Sequence, residues 1–254
     1  DGDGDEDIVL ARRTPTTISN GFGPLPLYIQ NLGPAGMAAP IPFGVAQMSL
    51  DIAIADFDAD GDLDILQVSG TVGQPPPGFV AQSYVYLNAG GTFVPVAQPG
   101  VVGGFGAAGD LDGDGDADAV INGQTYLVAA GTLTPAAPLA SAIGNRAQLA
   151  DLDLDGDLDL VESPCTIMMN AGGGAFGAPI SILPRQNLAA TSWNLPEARA
   201  ADLDLDGDPD ILTPQLNVIS NVMRHLTTVG QPRVGRPERV DVYGAPGGAW
   251  FLFA

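Results

Sequence analysis

Three observations predict an all-β fold assembled from repeats. Four stretches place Asp on every second residue around a fixed Gly: DFDADGDLD at residues 56–64, DLDGDGDAD at 110–118, DLDLDGDLD at 151–159 and DLDLDGDPD at 202–210. These stretches recur at intervals of 54, 41 and 51 residues, a period that suits one small sheet of four strands per repeat. The segments on either side are short, apolar and bounded by Gly or Pro, which is the punctuation of strands and not of helices.

The chain opens on a clipped copy, in which Asp1, Asp3, Asp5 and Asp7 align with the last four Asp of the full motif and Gly4 with its Gly. The strand-like residues 8–10 follow it. In the second repeat, strands are expected near residues 49–55, 63–68, 83–88 and 93–96. The stretch 70–78 contains Pro75, Pro76 and Pro77 and cannot belong to a central strand. Ala and Gly occupy many strand positions, so the sheets should pack closely at the expense of large side chains. The tail holds two further strand-like pieces, residues 239–243 and 250–253, separated by Gly244, Ala245, Pro246, Gly247 and Gly248.

Acidity in this chain is local. Of 26 Asp, 24 lie in the five motifs, and only Asp51 and Asp241 fall outside them. There is no Lys, and none of the nine Arg lies within a motif. Four or five carboxylates within nine residues repel one another, and a cation must balance them. Oxygen ligands at positions 1, 3 and 5, Gly at 6 where the backbone turns sharply, and a carbonyl at 7 describe a calcium loop; Mg2+ prefers fewer protein ligands. One Cys and one His exclude a soft-metal centre. An EF-hand requires Glu at position 12 between two helices, and the residues there are Gln67, Ile121, Glu162 and Thr213. Position 9 is Asp in every copy. The ligand set expected is therefore Asp56, Asp58, Asp60, Asp62 (by its carbonyl) and Asp64 in the first complete loop, and Asp110, Asp112, Asp114, Asp116 and Asp118 in the second. The third complete loop offers Asp151, Asp153, Asp155, Asp157 and Asp159, and the fourth Asp202, Asp204, Asp206, Asp208 and Asp210. Four complete loops and one incomplete N-terminal loop would each bind Ca2+, the incomplete one more weakly.

These motifs resemble the FG-GAP/VCBS repeats of integrin-α-like β-propellers, whose blades carry a D-x-D-x-D-G-x-x-D hairpin loop. A second feature of such blades, a strand, an Asn-x-Gly turn and a strand with Phe, is matched by Tyr84-Val85-Tyr86-Leu87-Asn88-Ala89-Gly90-Gly91-Thr92-Phe93 and by Ile167-Met168-Met169-Asn170 through Phe176. Residues 28–33 and 126–133 are weaker versions, and residues 218–221 keep only the Asn. The resemblance implies a β-propeller of four-stranded blades with about five repeats, alone or as part of a seven-bladed ring, over residues 1–229. Residues 230–254 then form a β tail that closes the propeller or starts an appended module.

Composition bounds the function. Hydrophobic content of 45% is enough for a core, and no apolar run approaches the 18 residues of a membrane span. A net charge of −21 argues against nucleic acid and anionic lipid as partners. Five Ca2+ ions would add ten positive charges and leave about −11, still acidic. Millimolar extracellular calcium suits such loops better than the cytosol does, so a secreted or cell-surface location is expected; Cys165 alone permits no internal disulfide. A start inside a motif, without Met, reads as processed or truncated. His225 and Cys165 read as structural side chains, Trp193 as blade packing before sugar stacking, and Arg12 and Arg13 as solvated. No catalytic set is expected. The chain reads as a non-catalytic adhesion, binding or assembly module whose partner is a protein or glycan at the cell surface or its own copies. The alternative is the carbohydrate-binding propeller of a secreted carbohydrate-active enzyme. The tail or a neighbouring subunit should cover the strand edge beside residues 8–10.

Overall fold

The computed structural model describes residues 1–12, 24–70, 80–104, 106–140, 147–162, 166–181, 198–203, 205, 207–212, 218–219, 226–228 and 240–242. Their secondary structure is β throughout apart from one 3-10 turn at Gly33–Ala35. The chain forms two compact units, residues 1–146 with 172–175, and residues 147–171 with 176–254.

In the first unit, β1 (Ile8–Leu10), β2 (Leu27–Ile29) and β3 (Ile41–Pro42) form a three-stranded antiparallel sheet. Next comes a four-stranded sheet of β4 (Ser49–Ala55), β5 (Asp64–Ser69), β6 (Ser83–Asn88) and β7 (Phe93–Gln98), in that order. The strands expected over 49–55 and 83–88 are found with those bounds. The next sheet joins β8 (Gly106–Gly109), β9 (Asp118–Ile121), β10 (Gln124–Ala129) and β11 (Thr132–Pro138). In the second unit, β12 (Ala147–Ala150), β13 (Asp159–Glu162), β14 (Thr166–Met168) and β15 (Ile180–Ser181) repeat the meander. It is followed by the three-stranded β16 (Arg199–Ala201), β17 (Asp210–Leu212) and β18 (Val218–Ile219). A last ladder pairs β19 (Leu226–Thr228) with β20 (Val240–Val242). Repeated four-stranded antiparallel sheets in chain order are blades of an all-β, propeller-like fold.

Position within a blade decides composition. The second strand has neighbours on both sides, and every residue of β5, β9 and β13 is buried. The fourth strand is an edge, so it tolerates the Pro that would break a central ladder: Pro95 lies in β7 and Pro135 in β11. First strands are rich in Ala and Gly and pack against their neighbours in the next blade. A Cβ on Gly106 would stand 3.4 Å from a Val68 methyl and 3.6 Å from Ile121, in ordinary van der Waals contact with both. The core of the first unit gathers Phe57, Leu66, Val68, Val85, Val101, Ala119, Ile121, Val128 and Leu133 from two successive blades. That of the second gathers Leu152, Val161, Ile167, Ala198 and Ile211.

Polar side chains staple the blades as well. The Asp51 carboxylate in β4 accepts the Gly106 N–H of β8 at 3.1 Å. Buried Gln98 donates to the Gly131 carbonyl at 2.7 Å and accepts the Leu133 N–H at 2.9 Å. In the second unit, Gln148 makes the same reciprocal pair with the backbone of Ala200, both bonds 3.0 Å. Each amide thus has both its oxygen and its nitrogen bonded to backbone, and for buried Gln98 that pairing is the condition for tolerating it inside.

The tail strand expected near 239–243 appears as β20, and its ladder partner is β19. Among the described residues β1 pairs with β2 alone, and Ile8 and Leu10 are each 43% exposed. The pieces at 70–78 and 250–253 lie almost wholly or wholly outside the described residues. No helix of the described residues is long and apolar enough to cross a membrane.

Candidate metal centres

Each Asp loop is closed by its own carboxylates. At position 1, the Oδ2 atoms of Asp56, Asp110, Asp151 and Asp202 accept the N–H of the Gly at position 6, at 2.9, 3.1, 3.1 and 3.0 Å. At position 5, the Oδ1 atoms of Asp60, Asp114 and Asp155 accept the N–H at position 7. The Gly at position 6 is left-handed in every copy, with φ of +94° at Gly61 and +102° at Gly115, a region that Gly enters without steric cost. Position 4 is left-handed too, and there the chain accepts strain: Ala59, Leu154 and Leu205 sit at φ of 58°, 61° and 63°.

The position-9 Asp works differently. Asp64 is fully buried, and its two oxygens accept the Phe57 N–H at 2.8 Å and the Asn88 N–H at 2.7 Å. Asp118 does the same for Leu111 and Val128, and Asp159 for Leu152 and Asn170. The carboxylate therefore ties the loop's second residue to the third strand or its end. The Asn of the Asn-x-Gly turn completes the clasp, because Asn31, Asn88 and Asn170 each donate a side-chain N–H to the carbonyl at position 8. In the sequence alone this Asn reads as a turn former only. Its recurrence at a strand end in three repeats was the available signal.

In three loops the carboxylates of positions 1, 3 and 9 converge, each offering an oxygen within 4.8 Å of the others: Asp56, Asp58 and Asp64; Asp110, Asp112 and Asp118; Asp151, Asp153 and Asp159. Asp60, Asp114 and Asp155 lie outside these triads. In the opening loop Asp1, Asp3, Asp5 and Asp7 form no such triad among the described residues; Asp3 and Asp5 donate N–H bonds to the preceding Asp, and Asp7 accepts from Asn31 N and Tyr28 Oη. In the last loop Asp204 and Asp206 lie outside the described residues, while Asp210 accepts the Leu203 N–H at 3.2 Å. The position-7 side chains differ: Asp62 and Asp157 are half-buried, Asp116 and Asp208 are buried. His225, Cys165, Trp193 and Arg13 are outside the described residues, and Arg12 is exposed.

The donor chemistry fits a hard cation. The Oδ1 atoms of Asp58, Asp151 and Asp153 are buried with no hydrogen-bond donor, a costly state for a carboxylate unless something positive meets it. Burial, then the neighbouring position-5 carboxylate, pushes the carboxyls of Asp58, Asp112 and Asp153 up. Burial pushes Asp159 up to about 6, against the two backbone bonds that pull it down. Without a cation these loops carry an electrostatic penalty that their own N–H donors offset only in part.

Residues 1–66 match the FG-GAP-like repeat family. Residues 1–66 thus carry an FG-GAP-like repeat. No curated protein matches the chain. Among solved structures, a lectin of Agrocybe aegerita, described for its specific recognition of non-reducing terminal N-acetylglucosamine, superposes with a TM-score of 0.51 at 23% identity. The match covers 75% of this chain and 55% of the lectin, so the chain spans about half the length of that neighbour. At this identity the likeness speaks for the fold.

Proposed function

We propose that this chain is a calcium-stabilised, non-catalytic propeller of FG-GAP-like repeats that works outside the cell as a binding, adhesion or assembly module. The observation that carries the reading is the convergence of three carboxylates at the same positions of three successive loops, two of which hold buried triad oxygens that lack donors. Positions 1, 3 and 9 hold the cation, position 5 joins from the loop tip, and the position-7 carbonyl completes an oxygen cage of the kind Ca2+ prefers. A bound Ca2+ supplies two positive charges to each cluster. The clasp at position 9 then holds the loop against the third strand, so that the cation reinforces the blade. Localisation outside the cell follows from the millimolar calcium that such sites match.

Calorimetry of the full chain tests this directly. Calcium uptake at several sites, with a rise in melting temperature that Mg2+ does not reproduce, is expected; a titration without heat and without thermal shift sinks the proposal.

Glycan binding is the second reading, supported by the likeness to a lectin propeller. It makes the chain the sugar-recognition part of a secreted assembly or carbohydrate-active enzyme. A glycan array probed in calcium and again in chelator, with terminal N-acetylglucosamine as the first ligand, separates it from adhesion to protein or to a second copy.

A further inference from the structure

The two neighbouring loops 56–64 and 110–118 share a motif but bury it differently. At position 8 of the first, Leu63 is 61% exposed, whereas at the same position of the second, Ala117 is 6% exposed and belongs to the core that contains Phe57. The Ala117 N–H donates to the Asp56 carbonyl at 2.7 Å, so the second loop is drawn down onto the first. The residue before it follows. Asp116 is 9% exposed, and its Oδ1 is buried without a hydrogen-bond donor. Its charged neighbours are the carboxylates of Asp114, Asp118 and Asp112, all of the same loop. No cationic side chain pairs with it among the described residues. A buried carboxylate among the other carboxylates of its own loop, beside the Asp110, Asp112 and Asp118 cluster, with one oxygen unsatisfied, marks where a cation is needed.

We infer that Asp116 is a side-chain ligand of the cation in loop 110–118, a role that the half-buried Asp62 and Asp157 do not share at the same position of their loops. The inference rests on the calcium reading of the loops and adds to it. Loop 110–118 then offers one more anionic oxygen than its neighbours and is the tightest site of the three, because charge and ligand number tune calcium affinity.

The test uses the full chain in two measurements. In calcium calorimetry, Asp116→Asn should weaken one site by about tenfold or more, the scale of losing a metal-site partner. Asp62→Asn and Asp157→Asn should each shift affinity by less than about threefold. A wild-type titration curve for Asp116→Asn overturns the inference and shows an acid that is merely kept neutral. If Asp116→Asn does not fold, a calcium-bound structure of the wild-type chain decides: a carboxylate oxygen of Asp116 at about 2.3–2.6 Å from the ion supports the assignment, and one beyond about 3.5 Å overturns it. Absence of calcium throughout overturns the reading of the loops as well, so the two failures are distinguishable.

Discussion

The blade of β4–β7 and the blade of β8–β11 carry the same acidic motif but anchor it by different means. In the first, Asn88 closes the clasp: its N–H meets Asp64, its side chain donates to the Leu63 carbonyl at 3.1 Å, and its own Oδ1 accepts the Gly91 N–H at 2.8 Å. In the second, Val128 stands in that place and keeps only the backbone bond to Asp118, at 2.8 Å. What Val128 lacks in polar contacts is replaced by packing. Val128 is buried in the core, Ala117 is tucked under Asp56, and the Gly131 N–H donates to the Phe57 carbonyl at 2.8 Å. One blade holds its loop by side-chain hydrogen bonds, the other by leaning on its predecessor. The backbone carboxylate clasp is common to both, and it is the invariant part of the design.

If the loops hold calcium as proposed, its removal should have the largest effect, since it would strip both blades of their counter-charge at once. A single site at 100 times its Kd contributes roughly 2.7 kcal/mol, and several sites add. Thermal unfolding of the full chain in calcium and in excess chelator measures this. A melting temperature indifferent to chelator, in a sample shown free of bound metal, contradicts it.

Breaking the clasp comes next. Asp64→Asn and Asp118→Asn each turn one accepting oxygen into an amide that faces a backbone N–H. The cost should be on the order of 3 kcal/mol in either blade, the scale of a buried hydrogen bond to a charged group left unsatisfied. Urea unfolding in saturating calcium separates this from lost metal binding. If both variants unfold like the wild type once calcium is saturating, position 9 serves the ion alone and the clasp is incidental.

The comparison also shows what could be read from the amino acids. Strands were legible because apolar runs end at Gly, Pro and Asn, and the second blade appears almost residue for residue. The turn at position 6 was legible because only Gly enters that region freely; position 4 was not, because Ala59, Leu154 and Leu205 are left-handed without being Gly. The double role of position 9 was hidden, since an Asp that coordinates and an Asp that clasps look alike in sequence. Its partners at Asn88 and Asn170 come from the third strand or just beyond it, 24 and 11 residues away. The staples made by Asp51, Gln98 and Gln148 were invisible for the same reason: each depends on which strand of the next blade lies alongside.

Acidity should distinguish the metal-free loops from the loaded ones. Burial, followed by Asp114 and Asp118, raises the Asp116 carboxyl to about 6, and burial raises that of Asp159 to about 6, against an ordinary 3.8. Between those values the folded chain binds more protons than the unfolded one. Its stability in chelator should therefore be greatest below about pH 4 as far as these groups are concerned, and fall as pH rises towards 6. Saturating calcium should reverse the slope, because protons and cation compete for the same oxygens. Chelator melts at pH 4.5 and pH 7 (about the two ends of the window) that show the opposite order count against raised carboxyls in the loops.

The smallest effect isolates the difference between the two blades. Asn88→Val makes the first blade resemble the second at the clasp, removing the bond to the Leu63 carbonyl and the acceptor for Gly91 while leaving the backbone bond to Asp64 in place. These bonds are partly exposed, so water replaces them in part, and a loss of about 1 kcal/mol is expected in urea unfolding. The substitution brings none of the packing that serves Val128, because Leu63, unlike Ala117, stands out in solvent. Calcium affinity of loop 56–64 should change little, since Asp56, Asp58 and Asp64 keep their positions. A loss well above that figure, or a collapse of calcium binding at this loop, would show that the Asn positions the triad itself, and that the second blade achieves the same geometry only through the contact between Ala117 and Asp56.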